Sequence, residues 1–163
     1  MPFLEPGHVL YLEAPPIEAS FSSEVLQHFQ KNKQDAFWKS EAGGQLFARI
    51  NGKSWEIIKA TGPRRSDYRR RFHFFPSRKD DQAEINISFS DGLHYVGDWH
   101  THPEDSPTPS SLDLSSMVDL VKSSKHQLPG FLMVIVGTID TQDGLWVSFH
   151  ARDGSTERLV FRN

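Results

Sequence analysis

One stretch of the sequence decides how the rest is interpreted: residues 95–113, which read YVGDWHTHPEDSPTPSSLD. Two histidines, His100 and His102, follow an apolar run that predicts a strand over residues 93–99. Side chains alternate along a strand, so both imidazoles point to the same face. Asp113 can supply a third ligand if the intervening loop folds back. Two histidines, one carboxylate and an open fourth position make up the ligand set of a hydrolytic zinc site.

A zinc hydrolase also needs a base that takes a proton from the attacking water. Glu41 is the best candidate, because it precedes Gly43-Gly44 and a predicted strand over residues 46–50 that can lie beside the histidine strand. Glu104 and Asp105 are closer in sequence, but they lie in a loop rich in proline. Asp98 is expected to orient a histidine from behind.

The chain before residue 95 predicts a helix and a hairpin. Apolar residues recur at helical spacing within residues 17–33, and Ser20 or Ser22 can cap that helix. Asn51-Gly52 is a strong hairpin signal between predicted strands over residues 46–50 and 55–60. Residues 79–91 fit either an alternating strand or a helix that ends at a glycine.

The chain after the histidines predicts one helix and then further strands. The helix begins after Ser110 or Ser111 and runs to about Lys125. Strands are predicted over residues 131–139, 145–150 and 159–161. The sequence contains no repeat and no linker, so we expect one mixed α/β domain spanning residues 1–163.

Composition excludes several classes of function. With 163 residues and a formal charge of −3, the chain is long enough for one domain and is not built for nucleic acid. It contains no cysteine, which rules out disulfides, zinc–thiolate clusters and cysteine nucleophiles. No apolar run predicts a membrane span or a signal peptide, so the cytoplasm is the expected location. Five arginines within residues 64–71 are interpreted as a solvated loop, with an acidic partner or a phosphate as the alternative.

The candidate residues together resemble the signature of the JAMM metalloproteases, also called the MPN-plus or JAB family. The resemblance covers His100-Thr101-His102, seven intervening residues, and Ser110-Ser111-Leu112-Asp113, with Glu41 upstream. It implies a cytidine-deaminase-like JAB/MPN fold, in which helices flank a mainly antiparallel sheet. It also implies one zinc ion per chain, bound by His100, His102 and Asp113. By the same resemblance, Glu41 deprotonates the attacking water and Ser110 helps to hold the oxyanion.

Within this family, the chain is similar to stand-alone bacterial members. The resemblance implies a zinc-dependent isopeptidase or peptidase that cuts the bond after the C-terminal residue of a ubiquitin-like or otherwise conjugated protein. It points to bacterial conjugation and anti-phage systems, where the partner is a cyclic-nucleotide synthase (CD-NTase) conjugated by an E1/E2-like enzyme. The alternative is a catalytically silent scaffold of the same fold. The H-x-E and P-C-x-x-C pattern of zinc deaminases and the H-E-x-x-H helix of other metalloproteases are absent from the sequence.

Overall fold

A sheet of nine strands forms the centre of the computed structural model, which describes residues 10–14 and 17–161. In chain order the strands are β1 (Leu10–Ala14), β2 (Ile17–Phe21), β3 (Gly43–Asn51), β4 (Ser54–Ala60), β5 (Tyr68–Arg69), β6 (Phe74–Phe75), β7 (His94–Thr101), β8 (Gly130–Val136), β9 (Leu145–Ala151), β10 (Thr156–Arg158) and β11 (Val160–Phe161). The order across the large sheet is β10-β9-β8-β7-β3-β4-β2-β1-β11. Strands β5 and β6 form a separate small hairpin.

The large sheet is mainly antiparallel, as predicted. Its parallel neighbours are β2 with β4 and β7 with β8, and its other described pairs are antiparallel. The α-helices of the described residues are α1 (Ser23–Asn32), α2 (Arg78–Ser90) and α3 (Ser111–Ser123). The result is an α/β domain in which helices flank a mixed sheet. None of the helices in the described ranges is both long and apolar enough to span a bilayer.

Strand β8 separates two layers of the hydrophobic core. All seven of its residues are buried, as is typical of a central strand that is covered on both faces. Leu132, Val134 and Val136 pack into the larger cluster, which also contains the buried residues of α1. Phe131, Met133 and Ile135 pack against Met117 and Val121 of α3. Helices α1 and α3 therefore cover opposite faces of the sheet.

A bulge at Gly97 determines which face the histidine strand presents to α3. The register between β3 and β7 shifts between Leu46 and Phe47, opposite Gly97, whose φ is +143°. A Cβ at Gly97 would lie 1.9 Å from the carbonyl oxygen of Leu132, so the position requires glycine. Val96 and Trp99 both enter the core on the α1 side. Alternation after the bulge then directs residues 98, 100 and 102 toward α3.

The helix predicted within residues 17–33 is found with Ser22, one of the two predicted caps, at its start, but the residues before that cap are not helical. Residues 17–21 form β2, in which Ile17, Ala19 and Phe21 are buried. The helix begins only at Ser23, and the Ser22 hydroxyl accepts a hydrogen bond from the Val25 amide. Phe21 fits both the strand alternation and the helical spacing, and pairing with β4 decides between the two.

The other predicted elements are found with small shifts at their ends. The Asn51-Gly52 hairpin joins β3 to β4, and Gly52 has a φ of +60°. Of the two alternatives for residues 79–91, the structure shows the helix, α2, which ends at Ser90 just before Asp91 and Gly92. The sequence HVLYLE at residues 8–13 also predicts a strand. Strand β1 begins at Leu10, and residues 8 and 9 lie outside the described residues. Strand β10 was not predicted, because its three exposed residues carry no apolar alternation.

Candidate metal centre

The two histidines bring their ring nitrogens together at the end of β7. The Nε2 atoms of His100 and His102 are 3.2 Å apart, and both side chains are largely buried. The amide of His102 donates to the carbonyl of Val136 at 3.0 Å, which extends the pairing of β7 with β8 beyond the end of the strand. The rigid end of a central strand pair thus fixes the positions of both imidazoles.

Asp113 reaches the histidines from the first turn of α3. Its Oδ1 lies 3.3 Å from Nε2 of His100, and its Oδ2 lies 3.2 Å from Nε2 of His102. A capping box with Ser110 orients the carboxylate, since the Ser110 amide donates to Oδ2 at 2.9 Å and the Asp113 amide donates to the Ser110 hydroxyl at 3.0 Å. Burial would raise the pKa of Asp113, but hydrogen bonds to both imidazoles outweigh it and hold the pKa well below its usual range.

Glu41 lies beside the histidines, as the position of the double glycine predicted. Only 6% of its surface is exposed, and its carboxylate forms a group with His100 and His102 whose ligand atoms lie within 4.8 Å of one another. Burial raises the pKa of Glu41 to about 7, against the opposing effect of the His102 charge. A carboxyl group with a pKa near neutrality is suited to accept and return a proton.

Close backbone packing places Glu41 at this distance. Gly43 pairs with His100 across β3 and β7, and a Cβ at Gly43 would lie 2.7 Å from the carbonyl oxygen of Trp99. At Gly44 the added atom would lie 1.7 Å from the carbonyl oxygen of Thr61. The double glycine is therefore required by the approach of β3 to its neighbours.

A buried polar network joins the strand of the histidines to the segment that carries Glu41. The Ala42 amide donates to the Thr101 hydroxyl at 2.9 Å, and the Thr101 amide donates to the Ala42 carbonyl at the same distance. The Thr101 hydroxyl donates in turn to Oε1 of Gln34 at 2.8 Å. Thr101 and Gln34 are both buried, so this network links the end of β7 to the segment before β3 within the core.

The arginine-rich segment is largely structural and not a loosely solvated loop. Nε of Arg69 donates to the Glu41 carbonyl at 2.8 Å, and the Glu41 amide donates to the Arg70 carbonyl at 2.6 Å. Arg64 pairs with Asp81 at 2.7 Å and donates to Gln45 at 2.9 Å. The segment holds the backbone of Glu41 from both sides. The sequence alone gave no sign of this, because the contacts join residues distant in the chain.

Glu104, and not Asp98, contacts a histidine of the site from behind. Nδ1 of His102 lies 2.8 Å from Oε1 of Glu104, a contact that fixes the orientation of the ring. The Tyr95 hydroxyl instead donates to Asp98 at 2.6 Å, and burial raises the pKa of Asp98 to about 7. The sequence offered Glu104 only as a candidate base.

A cavity of about 490 Å³ opens beside the histidines, between α3 and the segment from β6 to α2. Its walls include the apolar side chains of Phe74, Met117 and Met133, whereas Glu41 and Ser110 border it on the side of the histidines. The cavity therefore joins a largely apolar space to a compact set of titratable groups. This combination is typical of a binding or active site.

The donor atoms are spaced as ligands of one zinc ion would be. Ligand atoms that bind one such ion at about 2.0–2.1 Å are separated from each other by roughly 3.3 Å. The two Nε2 atoms are 3.2 Å apart, and Asp113 presents Oδ1 to His100 at 3.3 Å and Oδ2 to His102 at 3.2 Å. Two imidazole nitrogens and a carboxylate are also ligand types that zinc prefers. The Glu41 carboxylate lies within the same 4.8 Å group of possible ligand atoms as the two imidazoles.

Comparisons with known proteins identify similar chains. A family model described as prokaryotic homologs of the JAB domain matches residues 22–150. A CD-NTase/cGAS isopeptidase of Pseudomonas aeruginosa is 37% identical over 120 residues, which cover 72% of this chain and 75% of that protein. A CD-NTase/cGAS isopeptidase of Escherichia coli is 31% identical over 128 residues, covering 77% of each. A solved structure from Desulfitobacterium hafniense shares the fold, with a TM-score of 0.61 at 16% identity over 85% of this chain and 87% of that one.

Proposed function

Since this chain belongs to the family of prokaryotic homologs of the JAB domain, we propose that it is a zinc-dependent isopeptidase. The observation that carries the proposal is the convergence of two imidazoles and the Asp113 carboxylate at separations suited to one zinc ion. The buried Glu41 carboxylate beside them supplies a base. A silent scaffold would have no need for four titratable side chains gathered at the edge of a cavity.

The proposed substrate is a CD-NTase joined through its C-terminus to another molecule, as a conjugation system with E1/E2-like enzymes would produce. The names of the two bacterial relatives support this substrate class. The reaction releases the CD-NTase from its conjugate or trims a precursor after the same residue. We propose that the enzyme acts in the cytoplasm, where such conjugates would be made. The chain contains no cysteine, so it has no disulfide that would require an oxidising compartment.

Each residue of the proposed site has a separate role in hydrolysis. His100, His102 and Asp113 would hold the zinc ion, which when bound supplies Lewis acidity and lowers the pKa of a water molecule to about 7. Glu41 takes a proton from the attacking water, whose oxygen bonds to the carbonyl carbon. As the C–N bond breaks, Glu41 returns a proton to the departing amine. Glu104 keeps the His102 ring in one orientation throughout.

Ser110 has a free donor for the developing oxyanion. Its hydroxyl oxygen accepts from the Asp113 amide, and the structure gives its O–H proton no acceptor among the described residues. The residue also borders the cavity. Capping α3 and stabilising the oxyanion are therefore compatible roles for one side chain, since the first uses the lone pair and the second uses the proton.

Metal removal tests the proposed function directly. We expect zinc-loaded protein to cleave a Pseudomonas aeruginosa CD-NTase fused through its C-terminus to a fluorescent protein, and to release both intact. Treatment with a chelator should abolish cleavage, and added zinc should restore it. A fusion through the N-terminus of the same CD-NTase serves as the control and should remain uncut. Cleavage that survives complete loss of zinc would exclude the metal mechanism, and failure to cut the C-terminal fusion would favour the scaffold.

Replacing Ser110 by Ala is expected to reduce both stability and turnover. Loss of the helix cap should lower the free energy of unfolding by about 1 kcal/mol. Loss of the oxyanion donor should lower kcat by roughly 10²-fold. Ser22→Ala is the matched control, because Ser22 caps α1 in the same way. Urea unfolding of Ser22→Ala should show a decrease in the free energy of unfolding similar to that of Ser110→Ala, and its kcat should equal that of the wild type. An unchanged kcat in Ser110→Ala would leave Ser110 with the capping role alone.

A further inference from the structure

Five large aromatic side chains of residues 37–38 and 68–75 are exposed to solvent, and two of them line the cavity. Phe37, Trp38 and Phe72 are exposed by 79%, 72% and 68%, and half of the surface of Tyr68 and of Phe75 is exposed. Aromatic residues of this size are usually buried to a large extent, and an exposed group of them marks an interaction site. We call these five residues the aromatic surface.

Fixed contacts hold the aromatic surface in place. Nη1 of Arg71 donates to the Phe37 carbonyl at 2.6 Å, and the guanidinium of Arg71 lies 5.7 Å from the centre of the Phe72 ring. Gln34 donates to the Arg71 carbonyl at 2.8 Å from within the core. The rings of Phe37 and Trp38 meet edge to face at 5.3 Å. Arg71 therefore joins the backbone of Phe37 to the ring of Phe72, and the two ends of the aromatic surface are held next to each other.

The charge around the aromatic surface is positive, although the chain as a whole carries −3. Residues 64–81 contain seven lysines and arginines and three aspartates, a formal charge of +4, and one of these aspartates, Asp81, pairs with Arg64. Arg65 and Arg70 are exposed, and among the described residues neither pairs with a carboxylate. A local excess of this size in an acidic protein favours a partner with negative charge.

The aromatic surface is continuous with the proposed active site. Phe72 and Phe75 belong to it, and both also line the cavity that contains Glu41 and His100. A chain whose scissile bond lies at the histidines can therefore extend from the cavity onto Phe72 and Phe75. The hairpin of β5 and β6 provides the bridge, since it carries both Tyr68 and Phe75.

We propose that the aromatic surface docks an acidic segment with interspersed apolar residues, located in the conjugated protein just before its C-terminus. This rests on the proposed function. A conjugate has two parts: a target that offers a lysine, and the protein joined to that lysine through its C-terminus. The target can vary from one conjugate to the next, but the joined protein is always the same. A recognition surface that is present in the free enzyme suits that constant partner. The rings would take apolar side chains, and the surrounding arginines would take carboxylates.

A peptide-binding measurement tests the proposal without requiring catalysis. The probes are a labelled twelve-residue peptide of repeating Asp-Leu-Glu-Phe and its charge-reversed counterpart of repeating Lys-Leu-Arg-Phe. By fluorescence anisotropy we expect the acidic peptide to bind at least about tenfold more tightly, and increasingly weakly as salt is added. Equal affinity for the two peptides would overturn the proposal. So would a preference for vesicles containing phosphatidylserine over the acidic peptide.

Surface variants then connect this binding to the reaction. The double variant Phe37→Ser/Trp38→Ser should lose about tenfold in acidic-peptide affinity and raise KM for the CD-NTase fusion to a similar extent, with kcat and zinc content unchanged. Ile87→Ser, at a site on α2 that is 57% exposed, is the matched control and should change neither quantity. A double variant that behaves like wild type contradicts the docking role. Peptide binding that persists while no fusion is cut would contradict the proposed function instead.

Discussion

The Glu41→Gln protein is expected to retain about one zinc ion per chain and to lose nearly all turnover. The amide keeps the size of the side chain and can still hydrogen-bond, but it cannot accept the proton of the attacking water. General base catalysis contributes roughly 10²–10⁴-fold to a rate, and kcat should fall by about that factor. Elemental analysis of the purified protein and the rate of CD-NTase fusion cleavage give the two readings.

A matched control separates this effect from a general loss of negative charge. Glu56 lies exposed on β4, and Glu56→Gln should change neither zinc content nor kcat. Glu41 belongs to the group of possible ligands with His100 and His102, so loss of zinc in Glu41→Gln would make it a ligand rather than the base. Full activity in Glu41→Gln would remove it from both roles.

The same substitution has a consequence for the metal-free protein. Burial raises the pKa of Glu41 to about 7, above its ordinary value of 4.5. The folded state then binds a proton more tightly than the unfolded state, so stability falls as the pH rises from about 4.5 toward 7. A glutamine side chain cannot ionise, so the metal-free Glu41→Gln protein does not lose free energy of unfolding in this way. It should therefore be more stable than the metal-free wild type at pH 8.

Local sequence patterns explain why the candidate residues of the metal centre could be predicted from the sequence alone. A His-x-His pair on a strand and a Ser-x-x-Asp helix start each fix side-chain direction within a few residues. The double glycine after Glu41 marked a close backbone approach, and the structure places that approach against Trp99 and Thr61. These signals all depend on neighbours in sequence.

What the sequence did not predict depends on contacts between distant residues. Arg69 supports Glu41 from 28 positions away, and Arg71 supports Phe37 from 34 positions away. The bulge at Gly97 sets the face of the histidines through a contact with Leu132 in a strand that follows later in the chain. Residues 17–21 likewise form a strand because they pair with β4, although the spacing of their apolar residues also fits a helix. Tertiary contacts of this kind leave no periodic signal.

Replacing His100 by Ala is expected to remove both zinc and activity, in contrast to Glu41→Gln. The change deletes one of three proposed ligands and leaves Oδ1 of Asp113 without its contact at 3.3 Å. Loss of a group that only supports a ligand costs about 10–100-fold in metal affinity, so loss of a ligand itself should cost more. Purified His100→Ala should therefore contain far less than one zinc per chain, and fusion cleavage should fall below detection.

His94→Ala is the control that makes this result specific. His94 lies on the same strand, β7, and its ring packs edge to face against Phe89 at 5.9 Å, away from the three proposed ligands. The variant should keep one zinc per chain and wild-type kcat, and circular dichroism should show both variants folded. A folded His100→Ala protein that binds zinc stoichiometrically and cuts the fusion would remove His100 from the ligand set. Loss of zinc in both variants would instead mean that the strand itself, and not a particular imidazole, is the sensitive element.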